Sequence, residues 1–257
     1  MGVPTGPGEE PRPPAAVSLS VVIPAYNESF RVPSTLPQIL RYLESRPETY
    51  EVVVVDDGST DDTARLVEQV CANQPAVRLV RHWTNCGKGF AVRTGMLAAH
   101  GEYRLFSDAD LSAPITETDR LLEPLREGYD IVIGSRALRR EWITVHQSWF
   151  RETAGRFFNF CIRRITGLEF HDTQCGFKVF RREAAQVIFP AQKITGFGFD
   201  VEMLYLARKF GFRALEVPVH WAHSEDTKVS LWRHSLPMFW DLLRIRWNDW
   251  RGKYGGP

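Results

Sequence analysis

Residues 103–110 read YRLFSDAD, a short apolar strand that ends in two aspartates one residue apart. The strand is predicted to deliver the carboxylates of Asp108 and Asp110 to one edge of a β-sheet. Two like charges this close are unfavourable unless a cation neutralises them. Oxygen ligands suit a hard divalent ion such as Mg²⁺ or Mn²⁺, which commonly keeps positions for a substrate phosphate. The stretch therefore predicts a divalent metal site at Asp108 and Asp110.

Two upstream segments have the same design, an apolar strand that ends abruptly in polar groups. They read VIPAYNE at residues 22–28 and VVDDGS at residues 54–59. Tyr26 offers a ring face for stacking on a base, although an ordinary strand-ending turn explains the first segment equally well. Asp57 could accept hydrogen bonds from ribose hydroxyls or a base N–H, or it could simply help the chain to turn. Three such strand ends in order predict a nucleotide-sugar site.

Strand and helix patterns alternate from Ser18 onward. Continuous apolar runs typical of buried strands occur at residues 19–24, 51–55, 77–80, 103–106 and 130–133, with helical spacing between them. This alternation predicts an α/β fold, a Rossmann-like, mostly parallel sheet with helices on both faces. Ligands bind such sheets at the carboxyl ends of the strands, where the polar segments lie.

Three further polar segments allow two interpretations each. Residues 85–89, NCGKG, lack the spacing of a phosphate loop but open a helix, so Lys88 could face an anion or solvent. Residues 172–178, DTQCGFK, have the composition of a turn. Asp200 and Glu202 stand at a helix start, where acids are usually caps.

Composition limits the possible functions. The chain has 257 residues, 44% of them hydrophobic, and a net charge of +1, which does not suit a polyelectrolyte binder of nucleic acid. Its 4 cysteines lack Cys-x-x-Cys spacing and are expected to be reduced thiols of a cytosolic protein. We predict a disordered tail at 1–17, a nucleotide-sugar half at 18–136, an acceptor-binding half of the same domain at 137–230, and an amphipathic membrane-proximal tail at 231–257.

The C-terminal tail carries an amphipathic pattern. The apolar residues in phase are Leu236, Phe239, Trp240, Leu243, Trp247 and Trp250, with Arg244, Arg246, Arg251 and Lys253 nearby. Tryptophans beside basic residues favour a membrane surface, whereas the rival interpretation packs the stripe on the protein core. With no apolar run long enough to span a bilayer, we expect a peripheral protein on the cytoplasmic membrane face, held there directly, by a membrane partner or as a homo-oligomer.

Taken together, the chain from about Ser20 to Leu243 resembles glycosyltransferase family 2, with the GT-A fold. It is most similar to the polyprenyl-phosphate branch, which contains dolichyl-phosphate glucosyltransferases and mannosyltransferases. The marks of the family are segments 22–28, 55–61, 85–89, 107–110 and 134–136. Segments 172–178 and 199–202 resemble the glucosyltransferases more than the mannosyltransferases.

The resemblance implies an inverting transfer of glucose from UDP-glucose to a dolichyl or polyprenyl phosphate. Asp110, Arg136 and Asp200 would then be catalytic. The implied donor-binding residues are Pro24, Ala25, Tyr26, Glu28, Asp57, Lys88, Asp108, Ala109 and Lys228. The last lies in DTK at 226–228, where the family usually has Gly-Ser-Lys. Arg136, Arg151 and Arg156 are predicted to bind the acceptor phosphate, because they follow the donor half and adjoin an apolar face that suits a prenyl chain.

Three alternatives remain open. A GDP-mannose-dependent polyprenyl-phosphate mannosyltransferase would share the same motifs. A GT-A transferase to a soluble acceptor would need a general base such as Asp200, whereas a phosphate acceptor is already largely ionised near neutral pH. A non-catalytic nucleotide-sugar binding module is the third, and the intact pair of Asp108 and Asp110 weighs against it.

Overall fold

A single large sheet organises the chain, which the computed structural model describes at residues 17–145, 159–222 and 231–255. The strands are β1 Leu19–Ala25, β2 Tyr50–Asp56, β3 Val77–Arg81, β4 Tyr103–Ser107, β5 Ile131–Ser135, β6 Ile143–Val145, β7 Phe177–Arg181, β8 Ala214–Pro218 and β9 Trp221–Ala222. Seven of them form one sheet in the order β3-β2-β1-β4-β7-β5-β8, and β6 pairs with β9 separately.

Helices cover both faces of the sheet, as the alternating pattern predicts. They are α1 Val32–Glu44, α2 Thr63–Asn73, α3 Lys88–Ala98, α4 Thr118–Arg126, α5 at 159–166, α6 Arg182–Ala191, α7 Phe199–Lys209 and α8 Leu231–Trp250. Successive strand residues enter opposite cores: Val53 and Val55 pack with α3, whereas Val52 and Val54 pack with α1. This two-sided burial explains why the strands read as continuous apolar runs.

Strand β7 departs from the simple parallel order. It runs antiparallel to β4 on one side and to β5 on the other, so β4 and β5 are not neighbours. The end of segment 172–178, which composition assigned to a turn, is the beginning of this strand. Strands from both predicted halves, 18–136 and 137–230, therefore share one sheet.

Helix α8 packs on the protein with one face and exposes the other. Met238, Leu242 and Ile245 are buried, whereas the predicted apolar stripe is exposed at Phe239, Trp240, Leu243, Trp247 and Trp250. The side chain of Leu236, the sixth member of the stripe, lies outside the described part of the chain. The interpretation that this stripe packs on the core is wrong for these five residues, because the opposite face of the helix does so. Among the described residues, no helix combines the length and apolar character needed to cross a bilayer.

Candidate active site

A cleft of about 400 Å³ lies at the carboxyl ends of β1, β2 and β4. Its walls include these predicted donor residues: Pro24, Ala25, Tyr26, Glu28, Asp57, Lys88, Asp108 and Ala109, together with the predicted metal ligand Asp110. Lys228 lies outside the described residues. The cleft is also lined by Arg31, Ala91 and Phe197, which are not among the residues predicted from the sequence. No motif marks them, because helix and loop packing alone bring them there.

Backbone and side-chain hydrogen bonds join the loops after β1 and β2. The amide oxygen of Asn27 accepts a bond from the Thr60 N–H at 2.8 Å, and the Asn27 N–H donates to Ser59 Oγ at 2.8 Å. Asn27 adopts a φ of 54°, a left-handed conformation that asparagine tolerates better than most residues. The joined loops form a fixed wall on which Tyr26 stands 40% exposed.

Asp57 holds the loop at the other side of the cleft. Its Oδ1 accepts the Cys86 N–H at 3.0 Å, and its Oδ2 accepts the Gly87 N–H at 2.8 Å. His82 Nδ1 lies 2.7 Å from Oδ1, while His82 Nε2 lies 3.0 Å from Thr94 Oγ1. Asp57 is 2% exposed. Both carboxylate oxygens are therefore engaged within the protein, and the residue shapes the cleft through residues 85–87.

Lys88 and Asp108 form an ion pair inside the cleft. Lys88 Nζ lies 2.6 Å from Asp108 Oδ1. Burial opposes the charge on Lys88, but the carboxylates of Asp108, Asp200 and Asp110 outweigh burial and raise its pKa. The lysine that the sequence left open between anion and solvent thus faces the predicted metal carboxylates.

The carboxylates fit a divalent cation. Asp108 presses against Gly176, where a Cβ atom would stand 2.0 Å from Asp108 Oδ2, so only glycine leaves room for this carboxylate. Asp110 Oδ1 accepts the Ser112 N–H at 3.0 Å, which fixes the second carboxylate. Both side chains line the cleft and supply the oxygen ligands that Mg²⁺ and Mn²⁺ prefer.

Asp200 lies behind the cleft in a buried ion pair. Its Oδ1 is 2.5 Å from Nζ of Lys178, and Lys178 also donates to the Cys175 carbonyl. The two residues are 3% and 0% exposed. Burial raises the pKa of Asp200, and the two cations Lys178 and Lys88 oppose that rise. An aspartate held in this way supports the positions of its neighbours.

Glu202, the other acid of this helix start, has a structural role. It accepts the N–H groups of Lys193 and Ile194 and the hydroxyl of Tyr254. It therefore fixes the loop before α7 and the end of the described chain.

Arg136 forms a two-pronged pair with Asp172. Its Nε lies 2.7 Å from Oδ2 and its Nη2 lies 2.8 Å from Oδ1. Burial works against the charge of Asp172, yet Arg136 lowers the pKa of that carboxyl to about 2. The guanidinium also stacks over Trp221, which together with Asp108 lines a second, small pocket. Arg151 and Arg156 lie outside the described residues.

Comparison with known proteins places this arrangement in a family. The model of glycosyl transferase family 2 matches residues 20–189. A dolichyl-phosphate beta-glucosyltransferase of Dictyostelium discoideum is 36% identical over 250 residues, which are 93% of this chain and 76% of that protein. The Homo sapiens protein of the same name is 37% identical over 241 residues, 89% of this chain and 74% of that protein.

A solved structure confirms the predicted GT-A architecture. Glucosyl-3-phosphoglycerate synthase from Mycobacterium tuberculosis, in complex with Mn²⁺, uridine diphosphate and phosphoglyceric acid, superimposes with a TM-score of 0.63 at 20% identity. The superposition covers 95% of this chain and 80% of that one. The family motifs, the relatives and the architecture agree: the chain belongs to glycosyl transferase family 2 and is a glycosyltransferase.

Proposed function

We propose that the protein transfers glucose from UDP-glucose to the phosphate of dolichol or another polyprenol, with inversion at the anomeric carbon. The observation that carries the proposal is the cleft that contains the Lys88–Asp108 ion pair and is lined by Tyr26 and Asp57. The dolichyl-phosphate beta-glucosyltransferases among the relatives support the sugar and the acceptor.

The donor diphosphate is proposed to lie at Lys88 and the two cleft aspartates. The Mn²⁺ and uridine diphosphate named for the mycobacterial structure support a uridine nucleotide with a divalent ion. Asp108 and Asp110 would hold this ion, which when bound offsets the charge of the departing diphosphate. Lys88 adds a positive charge from the protein itself. The stacking face of Tyr26 suits the base.

The acceptor phosphate is proposed to approach Arg136 beside the second, small pocket. One phosphate oxygen forms a bond to the anomeric carbon while the bond from that carbon to the UDP oxygen breaks, and UDP leaves with the electron pair. Attack opposite the leaving group inverts the anomer. Because a phosphate monoester is already largely ionised near neutral pH, no tuned general base is needed, and Asp200 can stay paired with Lys178.

A donor panel tests this function. The purified protein is assayed with dolichyl phosphate and Mg²⁺ or Mn²⁺ against UDP-glucose, GDP-mannose and UDP-galactose, and the anomer of the product is determined by NMR. We expect a β-linked glucosyl lipid phosphate from UDP-glucose. Preferential use of GDP-mannose, or transfer only to a soluble sugar, would overturn the proposal.

Substitutions test the acceptor side separately. Arg136→Gln should raise the KM for dolichyl phosphate and leave UDP affinity unchanged. Arg151→Gln and Arg156→Gln test in the same way whether either arginine binds that phosphate. Arg93→Gln is the matched control, because this arginine hydrogen-bonds the Phe189 carbonyl away from the cleft. An unchanged acceptor KM in all three variants would remove these arginines from the acceptor site.

A further inference from the structure

The outer face of α8 stands beside a basic groove that the transfer reaction does not use. We propose that the exposed α8 stripe (Phe239, Trp240, Leu243, Trp247 and Trp250) and this groove together dock the protein on an anionic lipid bilayer, with the groove taking a lipid phosphate headgroup. The stripe lies in the membrane interface, and the groove selects the charge of the lipid.

The stripe has the size and orientation of an interfacial surface. Trp240, Trp247 and Trp250 are 64%, 50% and 76% exposed, although tryptophan is a residue that proteins usually bury in large part. The helix cannot turn these rings inward, since Leu242 and Ile245 on its other face are fully buried. Tryptophan is favoured at the boundary between lipid and water, where its apolar ring and N–H group are both accommodated.

The basic groove encloses about 460 Å³ between α5, α7 and α8. Four cations line the groove: Arg164, Arg208, Lys209 and Arg246. Among the described residues, no acidic side chain lines it. Three of these cations have partners within the protein. Lys209 pairs with Asp249 at 2.8 Å, Arg208 donates to the Gly167 carbonyl, and Arg246 donates to the neutral hydroxyl of Tyr205 at 2.9 Å. Four positive charges against one neighbouring carboxylate create a strong preference for an anion, and guanidinium groups match phosphate geometry.

Groove and stripe are continuous. Arg246 lines the groove and also lies three residues after Leu243 and four before Trp250, so it borders the stripe along one edge of the helix. Arg244, whose side chain is 63% exposed, stands at the opposite edge. An apolar stripe with cations at its edges is the pattern of helices that lie in the plane of an anionic membrane.

Helix α8 also contacts the loops of the candidate active site. Met238 Sδ lies 3.9 Å from Gln174 Nε2, and Asp241 packs against Gly198, next to the cleft residue Phe197. When α8 lies on a bilayer, these loops would therefore lie close to the bilayer surface, where a lipid acceptor exposes its phosphate. The position of these loops near a lipid acceptor rests on the proposed function, whereas the docking of α8 on a bilayer does not.

Liposome flotation of the full chain tests the docking without donor or acceptor. We expect flotation with vesicles of phosphatidylcholine and phosphatidylserine and much less with phosphatidylcholine alone. Replacing Trp240, Trp247 and Trp250 by serine should abolish flotation, whereas Trp83→Ser, at a tryptophan exposed elsewhere, should not. Thermal unfolding and UDP calorimetry check that each variant remains folded.

A pair of double variants tests the groove. R164Q/R246Q should weaken binding to the anionic vesicles roughly 25-fold, from about fivefold for each charge removed. R244Q/R251Q removes the same charge beside the stripe but outside the groove and should weaken binding less. Equal losses in the two variants would overturn the headgroup site.

Two further outcomes would overturn the docking itself. One is a serine triple variant that floats as well as the wild type. The other is a wild type that does not float but forms a dimer that the triple variant loses, which would assign the stripe to a second copy of the chain.

Discussion

Lys88 Nζ lies 2.6 Å from Asp108 Oδ1, so a side-chain cation rests on a carboxylate that is predicted to hold a divalent ion. A metal at Asp108 competes with this lysine, whereas a diphosphate attracts it. If the proposed donor site is correct, the amine of Lys88 therefore couples the binding of the metal ion to the binding of the nucleotide diphosphate.

Substitution of Lys88 should change metal and nucleotide binding in opposite directions. In Lys88→Gln we expect Mn²⁺ alone to bind more tightly, because its competitor is gone, and UDP alone to bind about tenfold more weakly, because a charged hydrogen bond is lost. Calorimetry of each ligand alone measures both effects. Lys88→Arg keeps the charge and should retain most UDP affinity; parallel losses of both ligands in the glutamine variant would contradict the link.

Asp110→Asn should retain the fold and lose turnover at least roughly a hundredfold, because a neutral amide is a poorer metal ligand and offsets less charge. Asp62→Asn, which changes an exposed carboxylate paired with Arg65, is the control and should behave as wild type. EDTA should abolish the wild-type rate, and added Mn²⁺ should restore it. A full rate for Asp110→Asn in EDTA would remove the metal from the mechanism.

Asp57→Ala should weaken UDP binding about tenfold and change saturated turnover little. The substitution leaves the N–H groups of Cys86 and Gly87 without their charged acceptor, and two charge-assisted hydrogen bonds that hold this loop are lost. The loop that forms one wall of the cleft then loses its fixed position, while the Lys88–Asp108 pair is left in place. Calorimetry with UDP and steady-state kinetics separate the two effects; unchanged UDP affinity would show that the loop does not need this anchor.

The Arg136–Asp172 pair should make stability fall in acid. The pKa of Asp172 is about 2 when folded, against about 3.9 in an unfolded chain. A lowered pKa stabilises the fold above pH 4, by about 2.5 kcal/mol, and this stabilisation disappears between pH 4 and pH 2 as the carboxyl is protonated. The free energy of unfolding, measured with urea across this range, should therefore depend more steeply on pH for the wild type than for Asp172→Asn. Identical pH slopes would show that the pair contributes nothing to acid sensitivity.

Tyr254→Phe should lower the free energy of unfolding by about 1 kcal/mol, because it removes the bond from the buried hydroxyl to Glu202. For a chain of this size the melting temperature falls by about 2–4 °C. Differential scanning fluorimetry measures the change, and UDP affinity serves as the readout that should not move. A variant as stable as wild type would mean that this bond does not anchor the segment around Tyr254.

The sequence predicts which strand-end residues line the cleft, because in α/β sheets the polar residues after neighbouring parallel strands meet at one edge. Asp57 shows the limit of such reasoning. Its position at the end of β2 indicated a nucleotide contact, but its oxygens bind N–H groups about 30 residues later, at Cys86 and Gly87. The spacing of residues along one strand does not reveal that a loop from a distant part of the sequence will pack against the strand end.

Strand β7 was missed for a different physical reason. Lys178 is the second of the five residues of β7, and a lysine there normally favours a turn or an exposed edge. The residue is fully buried only because Asp200, 22 positions later, neutralises it. In α8 both faces carry apolar residues, so periodicity alone could not decide between burial of Leu242 and burial of Trp240. Contact with α7 decides it.

The antiparallel insertion of β7 also sets the order in which the protein can assemble. A nascent chain ending at residue 136 exposes an edge of β4 and an edge of β5, and both remain open until residues 177–181 have left the ribosome. Closing this gap pairs Ser107 with Phe177, two residues far apart in the sequence. This step is slow because bringing distant parts of the chain together costs conformational entropy. The same closure brings Gly176 against Asp108, so this carboxylate takes its place only after β7 has joined the sheet.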